Sequence, residues 1–151
     1  VAPVPVVALL KMAAHLDRPY ERTKDLVDLA YVLHEYPAND DDRFFDDAIM
    51  DAGLTEDQAR GTILARELGA VVGTADREVV NAFIARMEND GPHWARFVSV
   101  SPQRDEERLR ARLDAFREAF ARTRPTTTAR RSSPRSRAAS PTPAAIPACA
   151  R

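Results

Sequence analysis

Apolar side chains recur every three or four residues through the first 122 positions, and this spacing constrains the fold more than any other feature of the chain. Such a period places the apolar residues on one face of an α-helix. Proline and glycine interrupt the pattern at intervals and divide it into separate segments. The sequence therefore predicts a mainly α-helical domain over residues 1–122.

The interruptions set the expected helix boundaries. We expect helices over residues 6–16, 20–36, 54–73, 76–89 and 102–122, and a shorter one within 38–53. The shorter helix would bury a stripe made of Phe44, Phe45, Ala48 and Ile49, with Gly53 at its end. The segment GPHWARFV, residues 91–98, is the one stretch predicted to be extended, because glycine and proline break the preceding helix.

The last 29 residues, 123–151, differ in composition from the rest. They contain five Pro, six Arg and one large aliphatic residue, and no Asp or Glu. Such a segment buries too little apolar surface to offset the entropy of ordering, so we expect a disordered basic tail. A shifted reading frame in GC-rich DNA would give a similar composition. Because the chain begins without Met, we interpret it as a fragment of a longer protein.

Charge and cysteine content exclude several classes of protein. Residues 1–122 contain 16 Lys and Arg against 23 Asp and Glu, which is not the charge of a nucleic-acid-binding core. The single Cys149 cannot form an internal disulfide or a cysteine zinc cluster. No apolar run reaches the ~20 residues of a membrane span. These observations favour a cytoplasmic protein without a membrane partner.

Charged residues cluster on the first two predicted helices. If these helices form an antiparallel hairpin that turns near Arg18 and Pro19, Lys11 lies at the same height as Asp25 and Asp28. An ammonium group opposite two carboxylates suits phosphoryl chemistry. The ammonium neutralises phosphate charge, and a carboxylate accepts a hydroxyl proton or supports a metal.

A simpler interpretation of the same residues is also open. Glu21 and Asp25 lie where the helix dipole stabilises acidic side chains. Lys24 and Asp28 are four residues apart and could form an exposed ion pair. In this interpretation the cluster stabilises the start of a helix and has no catalytic role.

The two motifs together resemble those of a known enzyme family. The segments ALLKMAA and RTKDLVDLAYVL resemble the third and fourth motifs of the AbiEii/AbiGii nucleotidyltransferases, which are toxins of type IV toxin–antitoxin systems. Arg22, Lys24, Asp25 and Asp28 match each fixed position of the pattern R-x-K-D-x-x-D. The resemblance is strong over residues 1–36 and less specific to about residue 100.

The resemblance implies a polymerase-beta-like fold, of which this chain would be the helical C-terminal region. It implies transfer of a nucleoside monophosphate from an NTP, with Mg²⁺, to an acceptor such as tRNA. Lys11 would contact the triphosphate, Asp25 or Asp28 would assist the acceptor hydroxyl, and Lys24 and Arg22 would be phosphate or structural partners. A cognate antitoxin would be a further partner.

One element of the family is absent from the sequence. The metal-binding motif, a Gly-Ser turn followed by Asp-x-Asp, does not occur in residues 1–151. The acidic run Asp40–Asp42 follows the fourth motif and begins a helix, so it does not substitute. We therefore expect the Mg²⁺ ligands upstream of Val1 and this chain alone to be inactive. The alternative is a non-catalytic helical module whose acidic surface binds a basic partner.

Overall fold

The structure, a computed structural model, describes residues 2–124. These residues form seven α-helices and no strand, which confirms the predicted mainly helical fold. In chain order the helices are α1 (Val4–Asp17), α2 (Thr23–Glu35), α3 (Asp47–Met50), α4 (Glu56–Val71), α5 (Thr74–Asn89), α6 (Gly91–Val100) and α7 (Glu106–Arg122). None of these helices is both long and apolar enough to cross a membrane. The predicted disordered tail lies, from residue 125 onward, outside the described residues.

Helices α1 and α2 form the predicted hairpin. Pro5 lies in the first turn of α1, where its missing N–H costs nothing. Helix α2 begins at Thr23 and not at Tyr20, because residues 18–22 form the turn between the helices. Besides packing on α2, α1 contacts α4 and α5, and α2 contacts α6. One side of the hairpin thus packs on α4, α5 and α6, and the other side is exposed to solvent.

Helices α4 and α7 pack closely along their length. A Cβ atom added at Gly61 would lie 2.1 Å from the carbonyl oxygen of Arg112, so only glycine permits this approach. Two turns later, Gly69 faces the side chain of Thr123, whose Oγ1 would lie 2.2 Å from an added Cβ. Thr123 was assigned to the tail by composition, but it packs on α4 and accepts a hydrogen bond from Arg77 at 2.8 Å. The α4–α7 pair therefore extends one residue beyond the predicted domain.

The prediction of one amphipathic helix within residues 38–53 is wrong. The segment folds as a 3₁₀ turn, Asp42–Phe45, followed by the single turn of α3. The extended backbone of Asp46 separates the two, so the helical period is lost between them. Ile49 is buried and Phe44 packs beside it, whereas Phe45 and Ala48 are exposed. Gly53 has a φ of +61°, which suits glycine, but α3 is capped at Asp51, so Gly53 is not the predicted helix end.

The prediction of an extended segment at GPHWARFV is also wrong. These residues form most of α6. Pro92 occupies the first turn, and the Asp90 side chain accepts a hydrogen bond from the His93 N–H at 3.2 Å. The Gly-Pro pair therefore marks the beginning of a capped helix rather than a strand. Trp94 and Phe97 are buried, as expected from their size.

Candidate functional site

Lys11 lies on α1 beside the face that packs into the core. Ala8, Met12 and His15 on the same helix are buried in the core. The side chain of Lys11 is 28% exposed and lies at the open side of the hairpin. Its aliphatic stem covers apolar surface while the ammonium reaches the groups of α2.

Helix α2 presents two carboxylates to this ammonium. The Nζ atom of Lys11 lies 2.9 Å from Oδ1 of Asp25 and 2.7 Å from Oδ2 of Asp28. The two acids are three residues apart and share one face of α2. The predicted juxtaposition across the hairpin is therefore confirmed at hydrogen-bond distance.

Arg22 completes the group, which we call the α1–α2 cluster: Lys11, Arg22, Asp25 and Asp28. The guanidinium of Arg22 donates to Oδ2 of Asp25, so both oxygens of this carboxylate are engaged. The Asp25 side chain is only 4% exposed, whereas that of Asp28 is 37% exposed. A buried carboxylate is tolerated only when it is paired in this way. Asp25 is thus fixed, and Asp28 is accessible to solvent.

The pairing changes the proton affinities of the cluster. Hydrogen bonds to Asp28 and Asp25 raise the pKa of Lys11 above its ordinary value. Burial alone would raise the pKa of Asp25, but the hydrogen bonds from Lys11 and Arg22 outweigh it and lower that pKa. At neutral pH the pair is therefore an ammonium and a carboxylate.

The exposed pair of the simpler interpretation does not form. Lys24 is exposed and makes no ion pair with any residue from 2 to 124, because Asp28 is bound to Lys11. Asp25 lies in the first turn of α2, where the dipole still favours it, but no side chain caps this helix. The acidic side chains thus bind cations of the hairpin rather than the helix end.

A second ionic group joins α4 to α7 and was not predicted. This α4–α7 cluster consists of Asp57, Arg108 and Arg112. Arg108 Nε lies 2.9 Å from Asp57 Oδ2, and Arg112 Nε lies 2.6 Å from Asp57 Oδ1. Arg112 is buried and also donates to the carbonyl oxygen of Leu33 on α2 at 3.2 Å. The partners are more than 50 residues apart, so no local pattern indicates them.

Two histidines also meet unexpectedly. His15 and His93 had no shared metal spacing in the sequence, yet their rings lie 5.8 Å apart between α1 and α6. Neither ring nitrogen of His15 has a hydrogen-bond partner, and Nε2 of His93 has none. A polar residue inside an apolar helical stripe was the only available signal for His15.

Metal ligands were expected outside this chain. Residues 2–124 contain no group of three or more His, Cys, Asp or Glu side chains arranged to hold a metal ion. The α1–α2 cluster does not fit Mg²⁺, because Lys11 and Arg22 already occupy both oxygens of Asp25. Asp41, in the acidic run Asp40–Asp42, forms an ion pair with Arg43.

Comparison with known proteins identifies no relative. No family model, no curated protein and no solved structure matches the chain. The functional argument therefore rests on the two motifs and on the geometry of the α1–α2 cluster.

Proposed function

We propose that the chain supplies the Lys11–Asp25–Asp28 part of a nucleotidyltransferase site that transfers a nucleoside monophosphate from an NTP to an acceptor such as tRNA. The observation that carries the proposal is the convergence of both carboxylates of the R-x-K-D-x-x-D motif on one lysine of the other helix. A motif that only stabilised the start of α2 would not need a partner 14 residues away.

Lys11 would bind the triphosphate. Its ammonium is a compact charge that neutralises phosphate oxygens as negative charge develops. In the free protein its partners are Asp28, which is accessible, and Asp25, which is not. The incoming triphosphate would therefore replace Asp28, while Asp25 keeps the lysine in position.

Asp28 would then be free to act on the acceptor. The hydroxyl oxygen of the acceptor attacks the α-phosphorus, the bond from that phosphorus to the bridging oxygen breaks, and pyrophosphate leaves. The hydroxyl proton passes to the Asp28 carboxylate. Arg22 is half exposed and holds Asp25 from the solvent side. Lys24 is exposed on the same turn and would contact phosphate groups further from the reaction.

The proposal concerns the residues of this chain and derives no step through Mg²⁺. The resemblance assigns the metal to a Gly-Ser…Asp-x-Asp element that residues 1–151 lack. Reading the genomic DNA upstream of the Val1 codon tests this directly. An in-frame stretch encoding that element supports the proposal, and a stop codon beside an unrelated gene contradicts it.

Binding of NTP to the chain as it stands gives the second test. Titration of an NTP by calorimetry should show binding that Lys11→Met weakens by about tenfold, the value of one charge-assisted hydrogen bond. Arg66→Met is the matched control, because Arg66 is an exposed cation on α4 without an ion pair in residues 2–124. An equal loss of NTP affinity in both variants would show that Lys11 contributes only nonspecific positive charge.

Asp28→Asn separates binding from transfer. Removing the competing carboxylate frees Lys11, so NTP binding should strengthen. In the product of the whole reading frame, the same change should abolish transfer of labelled NMP to tRNA. A variant that retained transfer would show that Asp28 does not accept the proton.

A helical interaction module remains the second candidate, because one cleft is apolar. It lies between the 3₁₀ turn, α3 and α4, with a volume of about 730 Å³, and is lined by Phe44, Ile49 and Leu54. Met50 at its border is 61% exposed. If the chain is an interaction module, Met50→Glu should abolish binding of a protein partner at this cleft in the cell without changing NTP binding.

A further inference from the structure

Three rings meet where α1, α6 and the turn between α1 and α2 come together. The His93 ring of α6 contacts His15 of α1, at a centroid distance of 5.8 Å, and Tyr20 of the turn, at 5.5 Å. The His15 ring also contacts Phe83 of α5, with the centroids 6.2 Å apart. The two histidines therefore connect four parts of the fold.

His15 is buried without the hydrogen bonds that a histidine normally makes. It is 0% exposed, and neither of its ring nitrogens has a hydrogen-bond partner among residues 2–124. His93 is 4% exposed, but its Nδ1 lies 2.8 Å from Oδ2 of Asp90. Buried polar groups are normally paired, so the unpaired ring of His15 requires an explanation.

The surroundings of His15 disfavour a positive charge on its ring. Burial is the main cause that lowers the pKa of His15 below its ordinary 6.5. The charges of His93 and Arg96 on α6 and of Arg86 on α5 lower this pKa further. Nη1 of Arg86 is itself buried with no partner in the described part of the chain. A proton on His15 is therefore both desolvated and repelled.

The carboxylates of the neighbouring helices are already engaged or distant. Asp25 of α2 raises the pKa of His15, but it is the smallest of the named causes and belongs to the α1–α2 cluster. Asp90 of α6 binds His93. Glu67 of α4, the third helix that packs on α1, lies beside the first turn of α1, far from His15. None of these three acids is free to pair with a proton on His15.

We propose that His15 and His93 form an acid-sensitive contact, in which a proton on His15 separates α6 and the α1–α2 turn from α1. The charged ring reaches water only when the His93 ring moves away from it. Helix α6 has ten residues and packs on α2 and α5, whereas α4 and α7 are held together along their length. Protonation of buried histidines drives such changes because the fold holds them neutral. The proposal does not depend on the transfer activity.

The expected pH range follows from the direction of the pKa change. In the unfolded chain His15 takes its proton near pH 6.5, and in the folded chain only at a lower pH. The stability that depends on the neutral ring is therefore complete above pH 6.5 and is lost as the pH falls from 6.5 through the lowered value. The pKa values of Asp25 and Asp57 are lowered from 3.8, so these acids stay charged over that range.

Urea denaturation of the 151-residue chain and of His15→Leu, between about pH 8 and pH 5, is the first test. Leucine has a similar volume and cannot titrate. The folded-to-unfolded ratio of the wild type, relative to that of His15→Leu, should fall by up to about tenfold for each pH unit below 6.5, until His15 takes its proton in the folded state. A relative ratio that does not change with pH overturns the proposal.

His34→Gln is the matched control. His34 lies on α2 with its Nδ1 2.7 Å from the carboxylate of Glu35, so a proton on this ring has a counter-ion. The variant should keep the pH dependence of the wild type. Loss of that dependence in His34→Gln would assign it to the wrong histidine and contradict the proposal.

A second measurement uses the wild type alone and separates local opening from global unfolding. Trp94, the one tryptophan of the chain, follows His93 and donates to Glu106 at 2.6 Å. Acidification from about pH 7 to about pH 5 should shift its emission to longer wavelength. Amide exchange, corrected for its intrinsic pH dependence, should accelerate in α6 and in residues 18–22 while α4 and α7 remain protected. Acceleration in every helix together, or in none, overturns the proposal.

Discussion

The α1–α2 cluster and the α4–α7 cluster are both built from ion pairs, but they differ in which charge is shared and in how far the residues are exposed. In the first, one lysine is shared by two carboxylates; in the second, one carboxylate is shared by two arginines. Asp28 is 37% exposed, whereas Arg112 is 4% exposed and also bonded to the backbone of α2. Burial and backbone anchoring fix the second cluster in one arrangement. The first retains a partner that a ligand can replace.

Of the changes that test this comparison, Asp57→Asn should lower the free energy of unfolding the most. It leaves the buried Arg112 without a counter-ion, at a cost of about 3–5 kcal/mol, whereas Arg108 is 37% exposed and can be solvated. Asp76→Asn is the control, because it removes a first-turn acid of α5 that is not in an ion pair and should cost only about 0.5 kcal/mol. Urea denaturation measures both. A small loss of stability in Asp57→Asn would show that the α4–α7 cluster is no more important for the fold than the α1–α2 cluster.

Gly61→Ala tests the close approach that carries the α4–α7 cluster. The new Cβ would lie 2.1 Å from the Arg112 carbonyl oxygen and 3.0 Å from the Phe116 nitrogen, both of which are backbone atoms. We expect a loss of about 1–3 kcal/mol from the forced separation of the helices. Gly91→Ala meets no atom within 4 Å and should leave the melting temperature almost unchanged. Equal melting temperatures would contradict the packing.

Lys11→Met should cost less stability than Asp57→Asn, about 1–3 kcal/mol, because Oδ1 of Asp25 loses its partner but Arg22 still neutralises the carboxylate and the methionine keeps the aliphatic packing. Urea denaturation provides the comparison. If Lys11→Met were as damaging as Asp57→Asn, Lys11 would be a structural residue and the proposed site would lose its main support.

The smallest expected effect is at alkaline pH, where the α1–α2 cluster should lose its contribution to the free energy of unfolding and the α4–α7 cluster should not. The pKa of Lys11 is raised above its ordinary 10.5, so its contribution to stability is complete below pH 10.5 and is lost as the pH rises through the raised value. Arginine keeps its charge over this range. The difference in unfolding free energy between wild type and Lys11→Met should therefore shrink above pH 10.5. A constant difference would show that Lys11 acts through packing alone.

Local patterns sufficed for most helices and for one cluster. Lys11, Asp25 and Asp28 could be placed together because a short turn fixes the register of two antiparallel helices. The capping box that Thr55 and Gln58 form at the start of α4 is equally local, since both partners lie within one turn. These features depend on residues that are close in sequence.

The features that the sequence did not predict depend on residues that are distant in sequence or on where a residue lies relative to a helix end. Asp57 and Arg112 are 55 residues apart, so only the packing of α4 on α7 brings them together. Gly91 and Pro92 were interpreted as breakers, although the same residues favour a helix start when Asp90 caps it. Phe45 matched the helical spacing, but the extended Asp46 ended the period.

The turn between α1 and α2 has a consequence for how related chains are recognised. Because residues 18–22 set the height of one helix on the other, the pairing also depends on the helical register on each side of the turn; inserting one residue within α1 after Lys11 would rotate Lys11 by about 100° relative to the rest of that helix and remove it from Asp25. A related chain that keeps this ion pair is therefore expected to keep the 14-residue interval from lysine to aspartate. Remote homologues would be found by that fixed interval, followed three residues later by a second acid, where overall similarity has faded.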